Sequence, residues 1–448
     1  MIVRALLLVV IGSFMWAARS FMPDVHGGLG AGPGLTLAIG FVLLASFFAG
    51  QLVSSFGLPK LTGYIGAGML FGPAALDLVT HDMVQGLQLV NGVAISLIAL
   101  TAGGELNVRR MRPLVRTIGW ITLVAVIGTA VLLSGVVLAL APLLPFLEGL
   151  GWTGTLAVAL VLGVTLSAQS PAVVIAVRAE TNADGPVTQT ILGVVVVADL
   201  VIIVLFAIAS AAARAVLQGT ADIGETAGSV AWELFGSIGA GIVIGAVLLL
   251  FLSKVRGSAS LFLVMVCVIV AEVGTAVHLD PLIIALTAGI VVENLSDKGH
   301  VLLEEIGAAS LPLYVVFFAV AGASIHLDVL PVVGIPAGLL VLSRAAGFLG
   351  GTRVAAKLAG APPEIGKFAG FGLLPQAGLA IALSLLFARL FPELGADAAA
   401  LTLGVVALNE ILAPVFFRRA LVRSGETRPD AAPEDAAAPE AAAAPDHR

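Results

Sequence analysis

Asp199 is the one charged residue in the stretch Thr188 to Ala213, TQTILGVVVVADLVIIVLFAIASAAA. The stretch is long enough to span a bilayer, and the acid falls near its middle. A carboxylate at that depth costs at least about 2.5–3.5 kcal/mol on insertion scales, so it belongs against a cavity or a partner. Removed from water, a carboxyl is neutralised either by a proton or by a cation, and not by both at once. Such competition couples a proton flux to a cation flux with no further machinery. The competing role is structural: a cap on the backbone or half of an ion pair.

Oxygen donors precede the acid. The run TLAVALVLGVTLSAQSPAVVIAV carries Thr165, Ser167, Gln169 and Ser170 ahead of Pro171, and FAGFGLLPQAGLAIALSLLFA carries Pro375 and Gln376. Small hard cations prefer oxygen, which makes Thr165, Ser167, Gln169, Ser170 and Gln376 companions to Asp199 in a candidate ion and proton site. A proline within a helix removes one amide bond and frees the carbonyl four residues back, here at Ser167 and Phe371. Inside a membrane, irregular backbone survives where it lines a cavity or is buried in protein, so helix breaks are expected at Pro171 and Pro375. An ordinary kink satisfied by Ser or Thr is the alternative.

Arg344, in GIPAGLLVLSRAAGFLGGTRVAAK, is the one basic residue at mid-membrane depth. Arginine keeps its proton in proteins, so it is a fixed charge and not a carrier. Its expected role is to balance negative half-helix ends or a buried acid, with Glu410, Glu233 and Glu272 as the candidate acids; snorkelling to the interface is the alternative. His26, His81, His278 and His326 fall at span ends or in loops. No nucleophile–base pair or metal-ligand cluster appears within the spans, so no enzyme and no cofactor is expected.

The elements that must position these residues follow from composition. Hydrophobic residues make up 59% of the 448, charged ones 11%, and mean hydropathy is +1.10. That is an all-α polytopic membrane protein. Gly, Pro and charged residues delimit fourteen spans: 5–22, 34–56, 60–78, 85–104, 114–142, 153–177, 188–213, 229–252, 258–278, 280–296, 309–325, 330–358, 366–390 and 398–418. The first has a basic start that also suits a signal peptide, without a clear cleavage site. With the Arg109–Arg116 loop inside and strict alternation, 18 of 22 Lys and Arg fall inside. Three (Arg19, Arg214 and Arg389) fall outside, and Arg344 lies within a span. One miscounted span would invert every later loop, so the bias supports this parse and a cytoplasmic C-terminal tail.

Gly68/Gly72, Gly241/Gly245 and Gly347/Gly351 have the spacing of close helix contacts, though among 52 glycines such pairs arise by chance. Cys267 is the only cysteine, which excludes disulfides within the chain. Gly27–Gly34 reads as a linker, and residues 424–448 as a Pro/Ala/acidic disordered tail.

LGVVVVADLVIIVLF (Leu192–Phe206) matches LGVVALNEILAPVFF (Leu403–Phe417) at an offset of 211, setting Asp199 against Glu410. Leu97–Val108 pairs with Val315–Leu327, with Ala102-Gly103 opposite Ala321-Gly322. Partners seven spans apart cross the membrane in opposite senses. Inverted repeats with two crossed discontinuous helices are the mark of secondary transporters, whose site lies near the midplane.

Together with the breaks and Asp199, three runs carry a resemblance: LPKLTGYIGAGMLFGP (Leu58–Pro73), AEVGTAVHLDPLIIALTAGIVVEN (Ala271–Asn294) and PLYVVFFAVAGASIHL (Pro312–Leu327). From about Leu35 to Arg423 the chain resembles the monovalent cation:proton antiporters of the sodium/hydrogen exchanger superfamily, in the branch that includes potassium efflux transporters. The resemblance implies thirteen helices besides an extra first span in residues 1–33, a homodimer, and elevator-type exchange of Na⁺ or K⁺ for H⁺ in a bacterial inner membrane. It implies an antiporter domain over 34–423, with a moving core (114–213 and 330–418), a dimer scaffold (34–104 and 258–325) and a linking span (229–252). No nucleic-acid partner is implied. Family members often carry Asp, Asn or Gln directly before the key Asp; Ala198 stands here, which removes a second ligand and favours one-for-one, electroneutral exchange. The efflux relatives' nucleotide-binding domain does not follow the spans, so gating by glutathione or nucleotide is not expected. A sodium-coupled symporter of a small organic anion, and a sensor or scaffold that has lost exchange, are the competing functions.

Overall fold

The computed structural model describes residues 2–20, 33–218, 228, 231–254, 259–277, 279–296, 299–324, 330–376 and 378–427. His26, His278, His326 and the tail beyond 427 lie outside the described residues. Every regular element among the described residues is helical. In chain order these are α1 (Ile2–Ser20), α2 (Pro33–Ser54), α3 (Lys60–Phe71), α4 (His81–Gly86), α5 (Gln88–Glu105), the single turn α6 (Val108–Met111), α7 (Val115–Ile121) and α8 (Gly128–Ala139). A π-turn (Thr122–Ile127) joins α7 to α8. Then come α9 (Gly151–Ser167), α10 (Pro171–Thr181), α11 (Pro186–Gln218), α12 (Ser237–Lys254), α13 (Ala259–Ala276), α14 (Pro281–Leu295) and α15 (Gly299–Ala323). The chain closes with α16 (Leu330–Ala359), α17 (Pro363–Gly372), α18 (Gly378–Leu390) and α19 (Pro392–Ser424). Seven helical stretches among the described residues are long and apolar enough to cross a membrane, and six shorter apolar helices accompany them. The protein is an integral membrane protein.

Two departures from the sequence-based limits have local causes. The span expected over 60–78 ends as a helix at Phe71, because Pro73 cannot continue the ladder and the Gly72 amide closes the last turn on the Gly68 carbonyl. The span expected from 309 begins ten residues earlier, at Gly299. Its charged first turns look like a loop in the sequence, yet Glu305 binds the Ser260 amide at 3.1 Å and so is held by α13.

The helices pack as two groups. In the first, α5 lies against α13, α14 and α15, α3 lies against α2 and α15, α12 lies against α14, and α1 lies on α2. In the second, α9 lies against α8 and α11, α16 against α8, α17 and α19, and α18 against α19. Between the groups, the main packing runs from α10 to α5 and α3, and from α19 to α3.

Within the first group, glycines let backbones touch. A side chain on Gly68 or Gly322 would drive into the carbonyls of Ala319 and Ile65, and one on Gly103 or Gly289 into those of Leu286 and Leu100. All three glycine pairs singled out by spacing sit at such contacts: Gly72 faces Ala323, Gly241 and Gly245 face α14, and Gly347 and Gly351 face Thr129 and Ala125. Without a hydrophobic driving force between helices in lipid, this close approach is the main source of cohesion. Gly289→Leu is therefore expected to lower the unfolding temperature in detergent sharply. Gly40→Ala, where nothing lies within 4 Å of an added carbon, should leave it unchanged; a thermal-shift assay on both compares them.

Candidate functional site

The two broken helices meet at their breaks. α9 stops at Ser167, Ala168–Ser170 run extended, and Pro171 opens α10, where the missing proline amide would have gone unbonded anyway. α17 stops at Gly372, and Pro375 and Gln376 lie in the connector ahead of α18. These are therefore full interruptions and not kinks. The Ser170 amide donates to the Pro375 carbonyl at 3.0 Å, so one break bonds directly to the other. The Ser170 hydroxyl caps α10 by accepting from the Val173 amide at 3.3 Å.

Two half-helices thus end in mid-protein with bare carbonyls. Arg344, from α16 and wholly buried, reaches between them. Its Nε donates to the Leu166 carbonyl at 2.9 Å and its Nη2 to that of Ala168 at 2.7 Å, both at the end of α9. Its Nη1 donates to the Leu374 carbonyl at 2.6 Å, and Nη2 also to that of Leu373 at 3.3 Å, past the end of α17. The Phe348 ring lies 4.8 Å beneath the guanidinium. Of the two roles expected for Arg344, the structure has the half-helix ends, and the acid partner is corrected. Glu272 is exposed on α13, Glu233 sits in the turn before α12, and Glu410 is buried with Oε1 unbonded; no bond joins any of them to Arg344. Carbonyls suffice as partners because a helix C-terminus carries about half a negative charge.

The remaining polar residues divide by half. Gln376 Nε2 donates to the Leu166 carbonyl at 3.1 Å, and its Oε1 accepts from Asn409 Nδ2 at 3.0 Å, so both ends of this amide are bonded. Gln169 Nε2 donates to the Ser167 carbonyl at 2.7 Å, but its buried Oε1 has no partner. The freed carbonyl expected at Ser167 is thus satisfied by the neighbouring side chain. Thr165 and Ser167 turn their hydroxyl protons back onto the Val161 and Val164 carbonyls at 2.9 and 2.8 Å, leaving only lone pairs to offer.

Asp199 lies on α11, 6% exposed, with Oδ1 unbonded. The start of α11 is anchored by Glu426, which accepts from the Val187 amide at 2.7 Å, the Thr188 amide at 2.8 Å and the Thr188 hydroxyl at 2.7 Å. A second carboxylate lies within electrostatic reach of Asp199. This is Asp280, which caps α14 through the Leu282 amide at 2.8 Å. Sequence reasoning missed Asp280 and Asn409. Asp280 stands in a short loop that reads as an ordinary cap before Pro281, and Asn409 adjoins the Glu410 that drew attention to its helix.

A sequence profile described as the transmembrane part of the sodium/hydrogen exchangers matches residues 41–423. The chain belongs to the sodium/hydrogen exchanger family. Two structures of the sodium proton antiporter MjNhaP1 from Methanocaldococcus jannaschii share the fold of this exchanger-family chain. One, at pH 8, has a TM-score of 0.62 at 15% identity, over 87% of this chain and 99% of that one. The other, from electron microscopy, has a TM-score of 0.67 at 14% identity, over 87% and 98%. The iron transporter MagA of Paramagnetospirillum magneticum is 30% identical over 175 residues, which is 38% of this chain and 36% of that protein. The match thus spans little more than a third of the curated relative. Family and fold are those of transporters and not of enzymes.

Arg344→Gln would leave buried carbonyl ends with half their donors. Breaking a buried charged arrangement from one side costs about 3–5 kcal/mol, so a large drop in unfolding temperature in detergent is expected. Arg344→Lys, with the charge but not the span of the guanidinium, should fall between the two.

Proposed function

We propose that the chain exchanges a monovalent cation, Na⁺ or K⁺, for H⁺ by competition at Asp199. The observation that carries this reading is a contrast between two buried charged groups: the guanidinium of Arg344 is spent on carbonyls, while the buried Oδ1 of Asp199 is spent on nothing. An acid without a fixed cation is available to a mobile one. The unbonded Oε1 of Gln169 and the lone pairs of Thr165, Ser167 and Ser170 supply neutral oxygens of the kind a hard cation prefers. One carboxyl that trades one proton for one cation moves no net charge. Each uncompensated charge would otherwise add about 2.3 kcal/mol per 100 mV.

The second packing group, with both breaks and Asp199, is the moving core of this mechanism, and the first group is the scaffold. Their sparse mutual packing supports relative movement of the elevator kind. In this reading two copies associate through their scaffolds, and the Lys- and Arg-rich side with the C-terminal tail faces the cytoplasm of a bacterial inner membrane. The organic-anion symporter loses its anion partner, since Arg344 is committed to backbone. The name of the partly matching relative makes iron a second reading. Among the described residues no group of three or more His, Cys, Asp or Glu stands ready for a multivalent metal, which favours the monovalent one.

In everted vesicles, Na⁺ or K⁺ should trigger proton movement that vanishes in Asp199→Asn. Li⁺ and Fe²⁺ run beside them separate the readings. Where protons compete, the half-saturating cation concentration should rise about tenfold for each pH unit of acidification. A half-saturation that ignores pH, or full activity in Asp199→Asn, refutes competition at this acid.

A further inference from the structure

Three contacts join the two packing groups at one side of the protein. The Lys60 amide, first in α3, donates to both carboxylate oxygens of Glu180 on α10, at 2.8 and 2.9 Å. Arg178, two residues earlier on α10, pairs with Glu105 at the end of α5. Arg418 on α19 donates through Nη1 to the Gly57 carbonyl at 2.6 Å, in the turn before α3. The donors and acceptors on one side belong to the broken-helix group; those on the other belong to the glycine-packed group. All three lie at helix ends of the Lys- and Arg-rich side.

The Glu180 bond replaces a missing local cap. The residue before α3 is Pro59, which offers its first amides no side-chain acceptor. An uncapped helix start leaves orphan donors and a positive end. Here a carboxylate from the opposite group fills the place. Arg178 is steadied within its own group, because its Nε donates to the Ala183 carbonyl at 3.0 Å. The opposite halves α9 and α18 pack within the broken-helix group and make no comparable contact with the other. Among the described residues the main packing between the groups is therefore at one face.

We infer that Glu180 is a positioning residue of the exchange cycle: docked on the start of α3, it closes the Lys- and Arg-rich side, and it must leave that amide before Asp199 is reached from there. This rests on the alternating access of the proposed function. The chemistry suits a fastening that opens and closes. A carboxylate on a backbone amide at a helix end trades one protein donor for water, whereas the glycine contacts within the first group have no such substitute. Arg178–Glu105 and Arg418–Gly57 set the register in which Glu180 docks.

The test uses the full chain in vesicles, with Leu61→Cys as reporter, since Leu61 is 2% exposed beside the docked carboxylate and the native Cys267 is buried. A membrane-impermeant maleimide is applied from the Lys- and Arg-rich side. In the reporter alone, labelling is expected to be slow at rest and to accelerate while a cation and a pH gradient drive turnover. With Glu180→Ala it should be at least tenfold faster and indifferent to the gradient. Glu180→Gln, which keeps an acceptor, should fall between. A Glu180 that merely caps α3 would speed labelling equally at rest and in turnover, leaving the gradient response intact; that result, or equal rates in all variants, overturns the inference. Failure of the exchange reading looks different. It would be absence of cation-driven proton movement in the wild type, with the Glu180→Ala acceleration at rest still present.

Discussion

Two helices broken in mid-membrane set a problem that the rest of the protein is arranged around. Backbone ends removed from water must find partners inside the protein. The carbonyl ends of α9 and α17 find theirs in one side chain, Arg344, which bonds to four carbonyls across both breaks. Each helix end carries about half a charge, so two negative ends and one guanidinium come close to cancelling. Arginine fits because its donors form a rigid planar fork and because it does not give up its proton. The long α16 exists in this account to deliver that group, and its own contacts with α8, α17 and α19 fix where the fork lies.

The inverted halves share a plan and differ in detail. Each has a half-helix, a break, a second half-helix and then a helix of 33 residues that opens on proline. In one half the glutamine at the break is tied down, because Asn409 occupies Gln376 Oε1. By the repeat, the counterpart of Asn409 is Ala198, which has nothing to offer Gln169, and Gln169 Oε1 is left bare. Unpaired buried oxygens remain in both halves, among them those of Gln169 and Asp199 in the first and Glu410 Oε1 in the second. The departure at Ala198 that reads in sequence as a lost ligand thus also leaves the Gln169 oxygen without a donor from that position.

Much of the fold was legible because the bilayer imposes a coarse grammar. The apolar spans and the breaks at Pro171 and Pro375 follow from hydropathy and proline chemistry. The partners of Arg344 were only half legible: a charge invites a search for the opposite charge, whereas the structure answers it with backbone. Asp280 and Glu180 were not legible, since their significance lies in what faces them from distant sequence. Glu180 sits 120 positions from the amide that it binds. Its first clue was local, a helix start after Pro59 with no residue able to cap it.

The charge at the crossing also bears on how voltage acts. Arg344 and the two carbonyl ends come close to cancelling, which on the proposed mechanism leaves Asp199 as the full charge that an ion or proton answers. With Asp199 ionised the site carries one negative charge; with a proton or a monovalent cation bound it is near neutral in either case. On the proposed mechanism the loaded core therefore presents the same charge to the membrane field whichever ion it holds. The field helps one crossing by as much as it hinders the return, since a charge feels about 2.3 kcal/mol per 100 mV whatever its identity. Arg344 makes this symmetry possible by balancing the carbonyl ends with a charge that never titrates, so that on this mechanism the occupancy of Asp199 is what changes.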